Sequence, residues 1–279
     1  MDRSELRYWE ARASHWRVAS PPAPSREDVI WYEARAGENA MSLAGRPLQA
    51  LLLGVTPAIA AMRWPDSTLL TAVDWSQGMI RHVWPRQSVP AHARAVCADW
   101  RQLPIATGSI DLVVGDGCYS VLRLADAALL NREVHRALRP DGLYCQRCFR
   151  QPERPISIPQ LFDQLFAGRM RNLDLFRWLL AMAVHGTSTD GVDLRHVWQV
   201  WYEHVPDPAA MRERFGWADE ALANFKFWQE NGGRFSFPSQ AELRELAEPC
   251  FELIASETPR YEMGECFPRL VMRARGPKP

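Results

Sequence analysis

Between positions 46 and 150, short apolar runs alternate with amphipathic segments along the chain. The apolar runs predict five strands, at 51–54, 69–74, 94–98, 110–114 and 143–149. The segments between them predict helices at 59–64, 76–84 and 126–138. Strands that are apolar throughout are typical of a parallel sheet that is covered on both faces. Their alternation with helices predicts right-handed βαβ units.

The segments on either side of this region have a helical pattern. Residues 1–45 predict an aromatic helical cap, in which Ser25 is the expected N-cap of a helix that begins at Arg26. Residues 151–233 interrupt the strand pattern and predict helices at 173–184, 194–202 and 218–228. An insertion of this size beside a sheet edge commonly builds substrate specificity, so we interpret it as a substrate cap.

Residues 234–279 return to the earlier pattern and are predicted to complete the sheet. They predict a helix at 240–247 and two strands, at 251–257 and 267–273. The predicted fold is therefore α/β, with a doubly wound sheet of about seven strands and a core at 46–150. The helical insertion falls between the fifth and sixth strands.

Composition narrows the function without defining it. The 279 residues are 47% hydrophobic and 24% charged, which is typical of a globular protein. Lys and Arg together number 33, as do Asp and Glu, so the net charge gives no reason to expect a nucleic-acid partner. No apolar stretch approaches the roughly 20 residues that span a bilayer, and the N-terminus has no apolar signal core. We therefore expect a cytoplasmic protein without a membrane partner; its oligomeric state is not predicted.

The six cysteines predict no metal or redox site. Cys145 and Cys148 have C-x-x-C spacing, but they lie in a predicted strand, where positions three apart point to opposite faces. No second pair with zinc-site spacing accompanies them. We expect buried, reduced thiols, and Cys118 is likewise interpreted as a buried side chain rather than a nucleophile.

Polar and aromatic residues follow the first four predicted strands where those strands end. They are Gly54, Val55, Thr56, Asp74, Trp75, Asp99, Trp100, Asp116 and Gly117. In an open doubly wound sheet, ligands bind outside these carboxyl ends. Asp74 follows Gly54 by 20 residues, the spacing at which a carboxylate accepts from a ribose diol. Asp99 is placed to accept from an adenine amine, with Trp75, Met79 or Trp100 against the ring.

At these positions the sequence resembles the class I S-adenosylmethionine-dependent methyltransferases, over 47–150 and more loosely over 234–273. The matching pieces are Leu51-Leu-Leu-Gly54, the segment from Ala72 to Ile80, Ala98-Asp99 to Pro104, Ser109 to Val113, and Glu133 to Gly142. The last piece resembles the family's acid-to-Pro-Gly-Gly segment, with Asp141 in place of the first glycine. The resemblance implies a Rossmann-like fold, S-adenosylmethionine as the cofactor, and cofactor contacts from the sheet-edge residues named above.

The first loop departs from the family pattern. The family usually has an acid followed by three spaced glycines, whereas this chain has Gly54-Val-Thr56-Pro57 and no acid. Gly54 can keep the tight turn, but Thr56 and Pro57 crowd the place of the methionyl arm. The Thr56 hydroxyl or groups of the N-terminal segment are candidates for holding that arm. The fourth strand is not followed by Asn-Pro-Pro-Tyr, which argues against methylation of bases or glutamine amides.

Several charged side chains have a structural interpretation beside a functional one. Asp116 is a candidate for the cleft or for a turn. Arg147 and Arg150 are candidates for a clamp on a substrate carboxylate, although a surface salt bridge is favoured for each. His135 is predicted to be solvated on the outer face of its helix, together with Glu133, which we place away from the cleft.

The insertion carries histidines and an aromatic stripe of its own. His185, His196 and His204 are interpreted as structural, with a base among them left open, so no catalytic residue is assigned. Trp198, Trp201 and Tyr202 have helical spacing and are predicted to pack in the core.

The resemblance implies methyl transfer from S-adenosylmethionine to a small-molecule acceptor. Two alternatives stay open. One is a non-methylating use of the cofactor, such as intramolecular cyclisation that releases methylthioadenosine, because the altered loop would allow a folded methionyl arm. The other is a non-catalytic binding protein, which the degenerate loop favours and the retained Asp74 and Asp99 oppose.

Overall fold

The computed structural model describes residues 3–16, 18–186 and 190–276. The strands are β1 (Gln49–Leu53), β2 (Leu69–Asp74), β3 (Arg94–Cys97), β4 (Ile110–Asp116), β5 (Leu138–Arg147), β6 (Val192–Asp193), β7 (Arg234–Phe235), β8 (Phe251–Glu257) and β9 (Arg269–Ala274). The helices are α1 (Arg3–Ala13), α2 (Arg26–Met41), α3 (Pro57–Ala60), α4 (Gln77–His82), α5 (Leu124–Ala137), α6 (Ile158–Phe166), α7 (Leu173–His185), α8 (Leu194–His204), α9 (Pro208–Phe215), α10 (Asp219–Asn231) and α11 (Gln240–Ala247).

Seven strands form one sheet in the order β3-β2-β1-β4-β5-β9-β8. The strands β1 to β5 are parallel to their neighbours, whereas β9 and β8 are antiparallel. This arrangement confirms the predicted doubly wound, Rossmann-like α/β fold. The helices α6 to α10 lie between β5 and the two antiparallel strands, where the insertion was expected, and β6 pairs with β7 beside them.

Both faces of the sheet are buried, as the apolar strands predict. Along β1, Leu51 and Leu53 pack into the cluster on one face, and Ala50 and Leu52 pack into the cluster on the other. Cys148 belongs to the first cluster and Cys145 to the second, which confirms that the C-x-x-C pair is split between the faces. All six cysteines are free thiols, and only Cys97 is exposed.

The fifth strand begins earlier than its pattern predicts. Pro140-Asp141-Gly142 precedes the strand that is predicted at 143–149, but it lies inside β5. The pairing of β4 with β5 shifts register between Ile110 and Leu112, and Asp141 has a φ of +62°. The chain therefore absorbs the turn residues as an irregularity within the ladder.

The N-terminal cap is attached to the sheet through two helix ends. Ser25 caps α2 as predicted, because its hydroxyl accepts from the Asp28 N–H (3.2 Å) while Asp28 accepts from the Ser25 N–H (2.9 Å). At the start of α4, Glu10 of α1 accepts from the Ser76 hydroxyl (2.7 Å) and the Gly78 N–H (3.0 Å). The helix α1 thus lies directly against the helix that follows β2.

Two side-chain predictions were wrong, one for a residue that is buried and one for a residue that is exposed. His135 is 1% exposed, and its Nε2 lies 2.7 Å from the Arg275 carbonyl oxygen. Its helix packs against α11 as well as the sheet, a second layer that an amphipathic pattern does not reveal. In the insertion, Trp201 is in the core, but Tyr202 is 53% exposed and stacks on Trp198.

The division into 1–45, 46–150, 151–233 and 234–279 stays a prediction, and its outer limits, positions 1 and 279, lie outside the described residues. Within the described ranges, no helix is both long enough and apolar enough to cross a membrane.

Candidate functional site

A cavity of about 270 Å³ lies at the carboxyl ends of β1, β2, β3 and β4. Nine of the ten predicted cofactor residues line it: Gly54, Val55, Thr56, Asp74, Trp75, Met79, Trp100, Asp116 and Gly117. The structure therefore brings together residues from four separate strand ends. Their contact with a cofactor stays a prediction.

Asp99 is the tenth residue, and it lies outside the lining of this cavity. Its carboxylate accepts from the Arg101 N–H (2.9 Å) and pairs with the Arg101 guanidinium at 2.6 Å. Although burial acts to raise it, the hydrogen bonds from Arg101 hold the pKa of Asp99 below its ordinary value. An adenine amine would have to share this carboxylate with Arg101, so the adenine role of Asp99 stays a prediction.

Asp74 ends β2 and presents its carboxylate to the cavity. It accepts from the Ser76 N–H at 2.8 Å. Burial raises the pKa of Asp74 to about 7; the nearby Glu10 also raises it, while the N–H groups of Ser76 and Val55 oppose the shift. The hydrogen bonds to this carboxylate thus do not offset the cost of its burial. The two hydroxyls of a ribose diol would donate further hydrogen bonds to it.

Gly54 keeps the first loop in a conformation that few other residues adopt. Its φ is +89°, in the left-handed region, so a side chain there would be strained whatever the space around it. Thr56 then stands at the N-cap of α3 and Pro57 begins that helix. A single glycine at the turn is therefore compatible with the fold, and Thr56 stays a candidate for the methionyl arm.

Arg147 ends β5 directly beside Asp116, its partner in the strand register. Its Nε donates to Asp116 Oδ1 at 2.6 Å, and its guanidinium also donates to the carbonyls of Pro21 (2.6 Å) and Pro22 (3.0 Å). The side chain is 0% exposed, so the expected surface salt bridge was wrong for Arg147. Arg150 is also buried, but its partner at 3.2 Å, Glu153, is exposed.

This buried ion pair fixes two parts of the cavity. Burial raises the pKa of Asp116, although the positive charge of Arg147 opposes the shift. The same guanidinium holds the N-terminal segment whose residues Pro22, Ala23 and Pro24 line the cavity. Opposite charges at the ends of neighbouring parallel strands were the available signal for this pair.

The remaining wall comes from α1, the insertion and β7. It is mainly aromatic and contains Tyr8, Trp9, Trp16, Trp178, Trp228 and Phe235. Trp178 stacks on Phe235, with ring centroids 5.1 Å apart, and meets Phe149 edge-on at 5.0 Å. Such a wall presents mainly apolar surface to the cavity.

Sequence reasoning missed two arginines in this wall. Arg12 of α1 and Arg177 of α7 both line the cavity. The available signal was an arginine at position 177, inside an otherwise apolar helix.

The histidines considered as bases lie elsewhere. His185 Nε2 accepts from the Phe237 N–H at 3.3 Å, His204 stacks on Phe162 at 4.1 Å, and His196 is exposed. Within the described ranges, no histidine lines the cavity. Nor do three or more His, Cys, Asp or Glu side chains of the described residues group so that they could hold a metal ion.

Comparison with known proteins finds a family match over the strand ends that line the cavity. Residues 53–142 match a family model described as a methyltransferase domain. Over 98 residues, the chain is 45% identical to a malonyl-[acyl-carrier protein] O-methyltransferase from Laribacter hongkongensis. That match covers 32% of this chain and 32% of the relative, so it spans about a third of the relative's length.

Solved structures resemble the chain over almost its whole length. The CcbJ methyltransferase from Streptomyces caelestis has a TM-score of 0.56 at 14% identity, covering 98% of this chain and 99% of that one. The N-methyltransferase NodS from Bradyrhizobium japonicum, solved with S-adenosyl-L-homocysteine, has a TM-score of 0.51 at 10% identity. That match covers 98% of this chain and 100% of the NodS chain. A Rhodobacter sphaeroides protein described as a candidate Zn-dependent alcohol dehydrogenase has a TM-score of 0.58 at 13% identity. That match covers 99% of this chain and 100% of the other.

At such identities the likeness shows the fold alone, and the family rests on the domain match. That match contains all ten predicted cofactor positions, from Gly54 to Gly117. The chain therefore contains, at residues 53–142, a segment that matches a methyltransferase domain.

Proposed function

We propose that the protein binds S-adenosylmethionine at the sheet edge and transfers its methyl group to a small-molecule acceptor. One observation carries the proposal: nine predicted cofactor residues, all inside the methyltransferase domain, line a cavity whose other wall is aromatic and comes from outside that domain. The cofactor half of the cavity thus lies within the matched domain, whereas the acceptor half comes from residues outside it.

The sheet-edge residues fit an adenosine group. Asp74 offers a carboxylate short of donors, which suits a ribose diol. Trp75, Met79 and Trp100 offer apolar surfaces for the adenine. The left-handed turn at Gly54 lets the backbone approach a ligand closely.

The cofactor, when bound, supplies a methyl group that is already activated on a sulfonium. The protein therefore has to align the acceptor and keep water out. The wall formed by Tyr8, Trp178 and Trp228 provides apolar contact for an acceptor, and the segment held by Arg147 covers the sheet edge. A base is needed only for an acceptor that is protonated at the working pH, and none is assigned.

Binding and product analysis test this proposal together. S-Adenosylhomocysteine is titrated into the protein by calorimetry, and S-adenosylmethionine is then incubated with the protein alone and with candidate acceptors. Binding, followed by S-adenosylhomocysteine formation only when an acceptor is present, is expected. Methylthioadenosine formed without an acceptor would support cyclisation instead, and absence of binding would support a non-catalytic protein.

A further inference from the structure

Four buried polar side chains form a connected group beside the aromatic wall. Arg12 donates to Asn224 Oδ1 at 2.8 Å, Asn224 is hydrogen-bonded to Asp174, and Arg177 donates to Asp174 Oδ1 at 2.9 Å. Arg12 and Arg177 reach the cavity surface. The group therefore places guanidinium charge at the end of the cavity that lies outside the methyltransferase domain.

Two donors in this wall lack a hydrogen-bond partner among the described residues. They are Arg177 Nε and Trp178 Nε1. Their side chains are only 3% and 7% exposed, and both line the cavity. Because buried polar groups are nearly always satisfied in native proteins, two adjacent unsatisfied donors on one cavity wall call for a ligand that accepts hydrogen bonds.

The charge of Arg177 points to an anionic ligand. Burial lowers the pKa of Arg177 to about 10, the attraction of Asp174 does not offset this, and Arg12 lowers it further. The Trp228 ring lies 4.7 Å from the guanidinium carbon and supplies part of the missing stabilisation. A planar guanidinium matches a carboxylate in geometry as well as in charge.

We propose that Arg177 and Trp178 bind the carboxylate of a ligand in this cavity, with Trp228 and Phe235 against the ligand's apolar part. This inference rests on the proposed function, because the ligand is taken to be either the cofactor or the methyl acceptor. The carboxylate comes from one of two sources: the aminoacyl end of the cofactor, or an acceptor with an apolar body.

Calorimetry with two adenosine ligands tests the first source. S-Adenosylhomocysteine carries the carboxylate, whereas methylthioadenosine shares the adenosine group and lacks it. If the cofactor supplies the carboxylate, Arg177→Gln and Trp178→Phe should weaken S-adenosylhomocysteine binding by about tenfold or more and leave methylthioadenosine binding unchanged. Trp178→Phe keeps an aromatic side chain and removes the N–H together with the five-membered ring, so it carries the test if Arg177→Gln unfolds.

Thermal protection by phenylacetate tests the second source, with phenylacetamide as the uncharged counterpart. It is measured with and without S-adenosylhomocysteine. If an acceptor supplies the carboxylate, phenylacetate should protect the wild type at concentrations at least about tenfold lower than the amide does, and both variants should lose this preference. Arg150→Gln is the matched control, because Arg150 is likewise buried (5% exposed, against 3% for Arg177) and ion-paired but does not line the cavity.

The outcomes separate this inference from the proposed function. If the variants bind all four compounds as the wild type does, or the wild type never prefers the carboxylate, the inference is overturned. If the wild type binds neither S-adenosylhomocysteine nor methylthioadenosine, the proposed function fails, and the phenylacetate measurement without cofactor decides the carboxylate site alone.

Discussion

Asp74 is the residue at which a pH effect on cofactor binding is expected. Burial raises its pKa to about 7, and a ribose diol donates to the ionised carboxylate. Affinity for S-adenosylhomocysteine should therefore rise with pH up to about 7 and level off above it. Below that value the affinity should fall by about tenfold per pH unit. Calorimetry between about pH 5.5 and 8.5 measures the profile, and Asp74→Asn should flatten it.

The same carboxyl group should affect the stability of the free protein in the opposite direction. The folded state keeps the proton of Asp74 up to about pH 7, whereas an unfolded chain loses it near 3.8. Its contribution is thus present at acid pH and is lost as the pH rises through this window. Relative to Asp74→Asn, the wild type should lose melting temperature between pH 5 and 7.5. A difference that stays constant would contradict the raised pKa.

Arg147 is the residue whose loss should destabilise the fold most directly. Arg147→Met would leave Asp116 buried without its partner and release the carbonyls of Pro21 and Pro22. Breaking a buried ion pair from one side costs about 3–5 kcal/mol. Urea denaturation should show that loss in the free energy of unfolding, and adding Asp116→Asn should restore part of it. A loss below about 1 kcal/mol would mean that the ion pair contributes little to the stability of the fold in solution.

At the scale of elements, the packing of α1 on α4 depends on one glycine. A Cβ at Gly78 would collide with Glu10 Oε2 and would lie 3.3 Å from the Ala13 Cβ. Gly78→Ala should displace Glu10 and loosen α1, which supplies Tyr8, Trp9 and Arg12 to the cavity. Hydrogen exchange in residues 3–13 should therefore become faster.

The matched control for that variant is Gly37→Ala in α2. No atom lies within 4 Å of a Cβ at Gly37, so the substitution should be neutral or stabilising by up to about 1 kcal/mol. Equal exchange in α1 for the two variants would show that Gly78 does not govern the contact.

Elements with a local signal were predictable, and contacts between distant segments were not. Short apolar runs predict the strands β1 to β4, and a local N-cap pattern predicts the cap at Ser25. His135 was misplaced because β9 and α11, more than 100 residues later, cover its helix. Within the site, the strand ends were predictable because parallel strands end at one edge, which brought nine predicted residues to one cavity.

No comparable rule predicts the wall of the cavity that comes from α1 and the insertion. Arg12 and Arg177 reach one wall from α1 and α7, and the chain between them folds through the whole sheet. Arg147 was predicted at the surface because a strand-end arginine usually reaches solvent. The N-terminal segment that buries it lies more than 120 residues away in sequence.

At the scale of the whole molecule, the family domain and the remainder of the chain divide the cavity between them. The matched segment at 53–142 supplies the sheet edge, whereas α1, α7 and α10 supply most of the aromatic wall. A ligand that spans both should tie the cap and insertion to the core, so S-adenosylhomocysteine should raise the melting temperature of the protein.

Calorimetric titration of S-adenosylhomocysteine into the wild type, Asp74→Ala and Glu133→Ala tests the central claim most directly. Asp74→Ala removes two charge-assisted hydrogen bonds to the ribose, each worth roughly 1.5–3 kcal/mol, so binding should weaken by about a hundredfold or more. Glu133 accepts from the Leu103 N–H at 2.8 Å and pairs with Arg136 at 2.9 Å, away from the cavity lining, so Glu133→Ala should bind normally. Normal binding by Asp74→Ala together with weakened binding by Glu133→Ala would contradict the placement of the whole nucleotide site.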